Sequence, residues 1–384
     1  KRSHEAIVID DSGSTVHKAF NFKNDADGFR KLLSVLDSVS ADPADFIIGM
    51  ESTSHYWLAL FSNLTKSPYT VHMFNPIQSN ALRDMYIRQT KTDERDCFII
   101  AEVIRFGRYS QGSMPPADIY ALREMCRARF FMVDMTSDLK RKVIALLDQV
   151  FPEYETLFTD IFGLTSSALL CTCPTPAEIL AVDTEKLIEL ISVPSHKRFG
   201  RQKTEQIRSV AKKSFGVLLG NDAISGLIKQ YMEHIRFSQQ QIMELDENIA
   251  ALFSKFDTPI TTVPGVGPVL GTAIFSEIGD ISRFRSAAKL AAFAGIDPSV
   301  RRSGEFSGIR NHMSKRGSPY LRRALWQASV IAALHDPALK AFFQKKRAQG
   351  KSYMNVIGHV TRKMASIIFA VLRDRTPYYV PDLN

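Results

Sequence analysis

The chain has 384 residues, 45% of them apolar and 23% charged, the balance of a folded protein long enough for two or three cores. No apolar run approaches the roughly 20 residues of a membrane span. The opening Lys1-Arg2-Ser3-His4-Glu5 leads into a strand-like segment rather than a secretion signal, so a cytoplasmic protein with no membrane association is expected. The four cysteines, Cys97, Cys126, Cys171 and Cys173, have neither zinc-ligand spacing nor a disulfide framework. Net charge is +9, and the excess is concentrated late in the chain. Seven basic residues lie between Arg301 and Arg323 against Glu305 alone, and eight more between Pro337 and Arg373 with no acid. Such a field points to a polyanion, most simply nucleic acid.

In chain order, Ala6-Ile7-Val8-Ile9-Asp10 reads as a short strand ending in an acid. Asp11-Ser12-Gly13-Ser14 is a four-residue turn into a second strand over 15–22. Phe29, Leu32, Leu33 and Leu36 recur at helical spacing, which predicts a helix over 26–39. A third strand over 46–51 again ends in an acid, Glu51. A helix over 56–65, a strand over 69–74 and a helix over 78–87 follow. Lys91-Thr92-Asp93-Glu94-Arg95-Asp96 then opens an apolar helix. Three apart on a helix, Asp93 and Asp96 have Cβ atoms about 5–6 Å from one another, near enough to share a metal ion. The plainer account of the same residues is an acidic first turn against the macrodipole, with Thr92 or Asp93 as N-cap.

Two strands thus deliver Asp10 and Glu51 at their C-terminal ends, where ligands bind in open α/β sheets, and the helix adds Asp93 and Asp96. Four converging carboxylates would raise one another's pKa unless cations offset them. Hard oxygen donors suit Mg²⁺ (or Mn²⁺), and two such ions about 3.5–4 Å apart clamp a phosphodiester during displacement.

The middle reads as helical: one helix over 117–151, short helices over 156–194, a basic loop from Ser195 through Arg201 and Lys203, and a second long helix over 223–256. Helices of this length point to a coiled-coil arm carrying dimer contacts or a guide molecule. The C-terminal region opens on Val263-Pro264-Gly265-Val266-Gly267-Pro268. A turn of this kind can offer backbone N–H groups to a phosphate, with Gly265 and Gly267 allowing close approach, as in helix-hairpin-helix modules. A helix stopped at Gly295, an arginine-rich loop over 299–308, and helices over 319–334 and 353–373 close the chain.

The acid-ended strands, Lys-Thr-Asp-x-x-Asp, Val-Pro-Gly-Val-Gly, Phe293-Ala294-Gly295-Ile296-Asp297-Pro298, Arg302-Ser303-Gly304 and Met313-Ser314-Lys315-Arg316-Gly317 occur in one order. In this the chain resembles the DEDD transposases of the IS110/IS1111 insertion-sequence group, understood as bridge-RNA-guided recombinases. The resemblance covers 5–110 and 258–375; residues 111–257 match only in being helical. It implies an α/β plus α architecture: an RNase H-like (RuvC-like) catalytic domain over 1–112, a helical coiled-coil region over 113–257 and a C-terminal transposase domain over 258–384. The family's acidic tetrad falls on Asp10, Glu51, Asp93 and Asp96, and its nucleophilic serine on Ser303. One departure is Asp11, a second acid where the family has a small or apolar residue; strand alternation from Val8 favours Asp10 as the inward one.

A serine hydroxyl is a poor nucleophile until a base or metal assists it. Arg301 and Arg302 beside Ser303 carry forked donors suited to a scissile phosphate, and Arg310, Lys315, Arg316, Arg322 and Arg323 extend the basic field. The resemblance implies DNA cleavage and strand exchange through a phosphoserine intermediate. Its implied cofactor is Mg²⁺ or Mn²⁺, and its partners are donor and target DNA and a bridge RNA, with a dimer or tetramer whose protomers share the site. Ser307 and Ser314 are competing nucleophiles. Two other readings stay open: a RuvC-like junction nuclease using water, and a non-catalytic nucleic-acid-binding protein whose acids are structural.

Overall fold

The structure is a computed structural model that describes residues 2–85, 92–107, 109, 112, 114–299, 302–303, 306–307 and 312–380, with the side chains of 302, 303, 306 and 307 outside that description. Contacts divide the chain into two units, Lys1–Met114 and Pro115–Asn384.

In the first unit, β1 (Ser3–Ile9) pairs antiparallel with β2 (Thr15–Lys23), Ile9 lying opposite Thr15. The connection spans 10–14 rather than 11–14, because Asp10 leaves the ladder to build the turn. Its carboxylate accepts from the N–H groups of Ser12 and Ser14, each at 2.9 Å. α1 (Ala26–Val39) is capped by Asp25, whose side chain accepts from the Gly28 N–H, and it buries Leu32 and Leu36. β3 (Ile47–Glu51) pairs in parallel with β4 (Thr70–Phe74) through the crossover helix α2 (Leu58–Leu64). α3 (Pro76–Arg83) starts two residues before the expected 78, because Asn75 caps it and Pro76 is pre-set for the first turn. It ends at Arg83, and the expected continuation to 87 runs into 86–91, outside the described residues. α4 (Asp93–Phe106) follows, with Thr92 as N-cap and Gly107 in the left-handed region as its stop. Phe22, Leu32, Leu36, Phe46, Met50, Phe61, Leu64 and Met73 form the core of this unit. α4 packs on both β1 and β3. Gly49 permits the second approach, since a Cβ there would stand 2.6 Å from Ile104 Cγ1.

The second unit is helical around a long antiparallel pair, α5 (Ala117–Val150) and, later, α10 (Asn221–Phe253). Arg129 Nη2 meets Asp246 at 3.0 Å along the pair, and the Val217 N–H reaches Gln149 O at 2.8 Å at one end of it. Between them run α6 (Leu164–Thr172), α7 (Pro176–Ala181), α8 (Thr184–Ser192) and α9 (Arg201–Lys213). The sequence pattern reads Arg201 and Lys203 as loop; they belong to α9, whose Thr204, Ile207 and Ala211 are buried at helical spacing. These helices close one core, with Val143, Leu147, Leu169, Ile179, Leu187, Ile207, Ile228 and Ile235.

A second core begins on the opposite ends of α5 and α10, at Leu122, Phe130 and Ile249, and extends through the remaining helices. These are α11 (Pro268–Ile278) and α12 (Ala287–Ala294), then α13 (Pro319–His335), α14 (Pro337–Ala348) and α15 (Tyr353–Asp374). α14 is not among the predicted helices; Asp336 caps it at the Leu339 N–H (2.7 Å) and Pro337 opens it. The arginine-rich stretch, expected as loop, contains a short antiparallel ribbon, β5 (Arg302–Ser303) against β6 (Phe306–Ser307).

Candidate functional site

The four tetrad positions lie on elements of the first unit that pack together. Asp10 directly follows β1. Its Oδ1 accepts from the Ser12 hydroxyl at 2.6 Å besides the two turn N–H groups. The Ser12 hydroxyl, then the Ser14 N–H, holds this carboxyl below the usual carboxylate range. Glu51 ends β3, and its two oxygens accept from the hydroxyls of Thr53 and Ser79. Asp93 is the first residue of α4 and exposed. Asp96, one turn on, accepts from Arg83 Nη2 at 2.8 Å, and Arg83 Nη1 is turned to Asn80 Oδ1 at 2.6 Å.

Among the described residues no group of three or more His, Cys, Asp or Glu side chains is arranged to hold a metal ion. The structure therefore brings the tetrad to neighbouring elements but not into one ligand shell. Its chemistry nonetheless suits a hard divalent cation. Among the described residues the hydrogen-bond donors to Asp10 and Glu51 are neutral hydroxyl and N–H groups, so no cationic side chain there competes with a divalent ion for either carboxylate. Asp96 differs, its charge being met by Arg83.

Sequence reasoning missed the support beneath Asp10. Glu102 of α4 is 4% exposed and takes a bidentate contact from Arg105, Nε at 2.6 Å and Nη2 at 2.9 Å. A Cβ on Gly13 (φ +89°) would lie 3.3 Å from Glu102 Oε1 and 3.2 Å from Arg105 Nε. The pair thus presses on the turn that Asp10 organises. The available signal is a Glu-x-x-Arg spacing on an otherwise apolar helix.

In the second unit the two glycines of the Pro-Gly-x-Gly turn have different environments. Gly265 (φ +80°) is where the turn crosses α13; a Cβ would stand 2.3 Å from the Ala328 carbonyl oxygen. Gly267 precedes α11 and faces open space. The serine ribbon is fastened at its base. The Ser299 N–H reaches His312 O at 2.8 Å, the Ser314 N–H reaches Asp297 O at 2.9 Å, and the Ser314 hydroxyl donates to the Asp297 carboxylate. Ser303 stands opposite Phe306 in this ribbon. Arg301 and Arg310 lie outside the described residues, as do the side chains of Arg302, Ser303 and Ser307.

Lys315 and Arg316 are exposed. Arg322 instead donates to Ala294 O at 3.1 Å, and Arg323 forks onto Asp134 at 2.6 and 2.7 Å over the Phe130 ring. A further buried acid joins this region. Glu277 of α11, 3% exposed, accepts from Arg127 Nε at 2.7 Å and from the Ser318 hydroxyl at 2.7 Å. It ties α5 to the segment returning from the ribbon. No local pattern marks a pair 150 positions apart.

Both ends of the chain also resemble known proteins. Residues 1–152 match a family profile described as Transposase, and residues 257–344 match the Transposase IS116/IS110/IS902 family. The chain is 25% identical over 303 residues to the 43.6 kDa protein of insertion element IS110 from Streptomyces coelicolor, covering 77% of this chain and 74% of that protein. It is 24% identical over 385 residues to the 44.8 kDa protein of insertion element IS116 from Streptomyces clavuligerus, with 98% and 93% covered. A pilin gene-inverting protein of Moraxella bovis is 24% identical over 368 residues, with 93% and 89% covered. A small acid-bearing α/β unit followed by a helical unit with a serine ribbon is thus, in both parts, of transposase type. The chain belongs to the IS116/IS110/IS902 family of transposases.

Proposed function

We propose that the chain cuts and rejoins DNA through a phosphoserine intermediate on Ser303. In this reading Asp10, Glu51, Asp93 and Asp96 hold Mg²⁺ or Mn²⁺, a bridge RNA directs the choice of target, and a dimer or tetramer acts. The observation that carries it is the placement of α4: its first turn bears Asp93 and Asp96, and its body packs on β1 and β3, the strands that end at Asp10 and Glu51. Similarity along nearly the whole chain to a gene-inverting protein supports DNA rearrangement as the outcome. The antiparallel β1–β2 hairpin, the β3–α2–β4 crossover and the acid-bearing α4 support an RNase H-like (RuvC-like) class for the first unit. The α5–α10 pair supports a coiled-coil arm, and the turn at Gly265 and Gly267 a helix-hairpin-helix-like contact.

In the reaction, the guanidinium groups of Arg301 and Arg302 hold the scissile phosphate and stabilise its developing charge. The Ser303 oxygen attacks phosphorus while its proton passes to a base. The bond to one deoxyribose oxygen breaks, and that oxygen leaves protonated as a hydroxyl. The ester to serine conserves the bond energy until a hydroxyl of a second strand displaces the serine. A bound divalent ion would polarise the phosphate and favour the ionised hydroxyl.

The test uses a labelled duplex carrying the element's ends, RNA transcribed from its flanking non-coding DNA, and Mg²⁺. Glu51→Gln and Asp96→Asn should each lower strand cleavage by more than about a hundredfold, with thermal melting unchanged for Glu51→Gln and lowered for Asp96→Asn, which leaves Arg83 without its counter-charge. Cleavage at the wild-type rate in both variants would remove the acids from the chemistry.

A further inference from the structure

Arg123 of α5 and Arg283, in the 3₁₀ turn Ile281–Arg283, flank the carboxyl end of α11. Among the described residues Arg123 gives only its Nε to protein, at 2.9 Å from Ser276 O, and its Nη2 lies 3.5 Å from where a Cβ on Gly279 would be. Arg283 lays its guanidinium over two rings, 4.6 Å from the Phe284 centroid and 4.5 Å from that of Phe293. Among the described residues nothing accepts a hydrogen bond from Arg283 or from the terminal nitrogens of Arg123.

The neighbouring acids are turned to other donors. Glu277 holds Arg127 and Ser318, Asp280 accepts from the Ser282 N–H and hydroxyl, and Glu124 stands 3.6 Å from Arg127. Arg283 is exposed as a residue, yet the rings crowd its guanidinium. Desolvation, and then the Arg123 charge, pushes that group down to about 10, and burial lowers Arg123 as well. The Glu277 charge offsets part of both cations, yet their unspent donors leave room for a further anion. The stacked ring faces hold the Arg283 fork in place before any ligand arrives, so little side-chain entropy is lost on binding.

The sequence from Ile281 to Ile296 adds Arg285 and Lys289, both exposed, and contains no acid. An extended polyanion suits such a row better than a single small ion. The row also packs on the segment that returns from the ribbon into α13: the Ser318 N–H reaches Phe293 O at 2.9 Å, and a Cβ on Gly317 would lie 2.1 Å from the same oxygen.

We propose that Arg123 and Arg283 form a two-pronged site for backbone phosphate of a nucleic acid, near the segment that returns from the serine ribbon into α13. The proposal rests on the reading of the chain as a nucleic-acid enzyme, but its test needs no cleavage. Full-length wild type, Arg283→Gln and the double variant Arg123→Gln/Arg283→Gln are titrated by fluorescence anisotropy into a labelled 30-base-pair duplex and a labelled single-stranded RNA, across a range of salt.

If both forks contact phosphate, the double variant loses about 1.8 from the slope of log affinity against log salt on duplex DNA, or about 1.4 on single-stranded RNA. Arg283→Gln, a change in an exposed turn, loses about half as much and keeps the test open if the double variant melts early. A slope that falls on DNA assigns the site to DNA, and one that falls only on RNA assigns it to the guide. Unchanged slopes and affinities on both, with a wild-type melting curve, would overturn the proposal even if wild type cleaves DNA. A fallen slope with no cleavage activity would leave this site standing and remove the recombinase reading instead.

Discussion

Asp10 shows how one side chain can set both a turn and a charge. Its Oδ1 gathers the N–H groups of Ser12 and Ser14 and the Ser12 hydroxyl, and each of these bonds favours the ionised form. Because the folded carboxyl titrates below the unfolded one, its contribution to stability is present above about pH 4 and is lost as pH falls through the lower folded value. Ser12→Ala removes the principal donor, so a ¹³C-detected titration of the Asp10 carboxyl should move its midpoint upward. An unmoved midpoint would assign the shift elsewhere.

Glu277 is the other residue on which much depends. Glu277→Ala leaves the half-buried Arg127 without its main counter-charge and frees the Ser318 hydroxyl. A loss of about 3 kcal/mol in urea unfolding is expected, the low end for a broken buried pair because Arg127 is partly open to water. A loss under about 0.5 kcal/mol would mean that solvent replaces the pair.

At the level of elements, close backbone approach decides the turn before α11. Gly265→Ala would put a methyl 2.3 Å from the Ala328 carbonyl oxygen at a positive φ. The combined steric and backbone cost of about 3 kcal/mol should be visible as a lower melting temperature, while Gly267→Ala, in open space, should cost less than about 1 kcal/mol.

The corner of α14 and α15 offers a charge test. His359 lies below its ordinary range because of burial and the charges of Lys351, Lys346 and Arg362. The unfolded chain therefore binds its proton more readily, and stability falls as pH drops through about 6.5. A nucleic acid bound over these cations would offset them and raise the His359 midpoint in an NMR titration with a short duplex. No change on saturation would place the nucleic acid elsewhere.

Elements were legible where period and length were strong. The two long helices stand within three residues of their predicted ends, because each repeats its apolar stripe over some thirty positions. α14 is shorter and its signal lies in its start, Asp336-Pro337, with Leu339, Phe342 and Phe343 at helical spacing. α9 hides its few apolar residues among lysines and arginines. The β5–β6 ribbon has two residues per strand, too few for alternation to register.

For the whole molecule, the described residues form one core in the first unit and two in the second. The second unit's cores share α5 and α10, so they should unfold together. Residues 115–384 expressed alone should keep their helical circular dichroism and a single cooperative melt; a molten, non-cooperative profile would show that the second unit depends on the first. The candidate site was legible to different depths at the two ends of the chain. The elements that bear the four acids were readable, because the pattern marks a strand end before Asp10 and at Glu51 and a helix start at Asp93. Glu102, Arg105, Arg127 and Glu277 were not, because their roles arise from packing that no local spacing encodes. The same holds for Arg322 and Arg323, whose donors are committed to Ala294 and Asp134.

Covalent trapping tests the central claim most directly. Wild type, Ser303→Ala and Asp93→Ala would be incubated with labelled donor and target duplexes, RNA from the element's flank and Mg²⁺, then separated on a denaturing gel. The phosphoserine reading predicts a labelled protein–DNA band in wild type that both substitutions abolish. Cleaved DNA without such a band, persisting in Ser303→Ala, would contradict it and make the protein a nuclease that uses water.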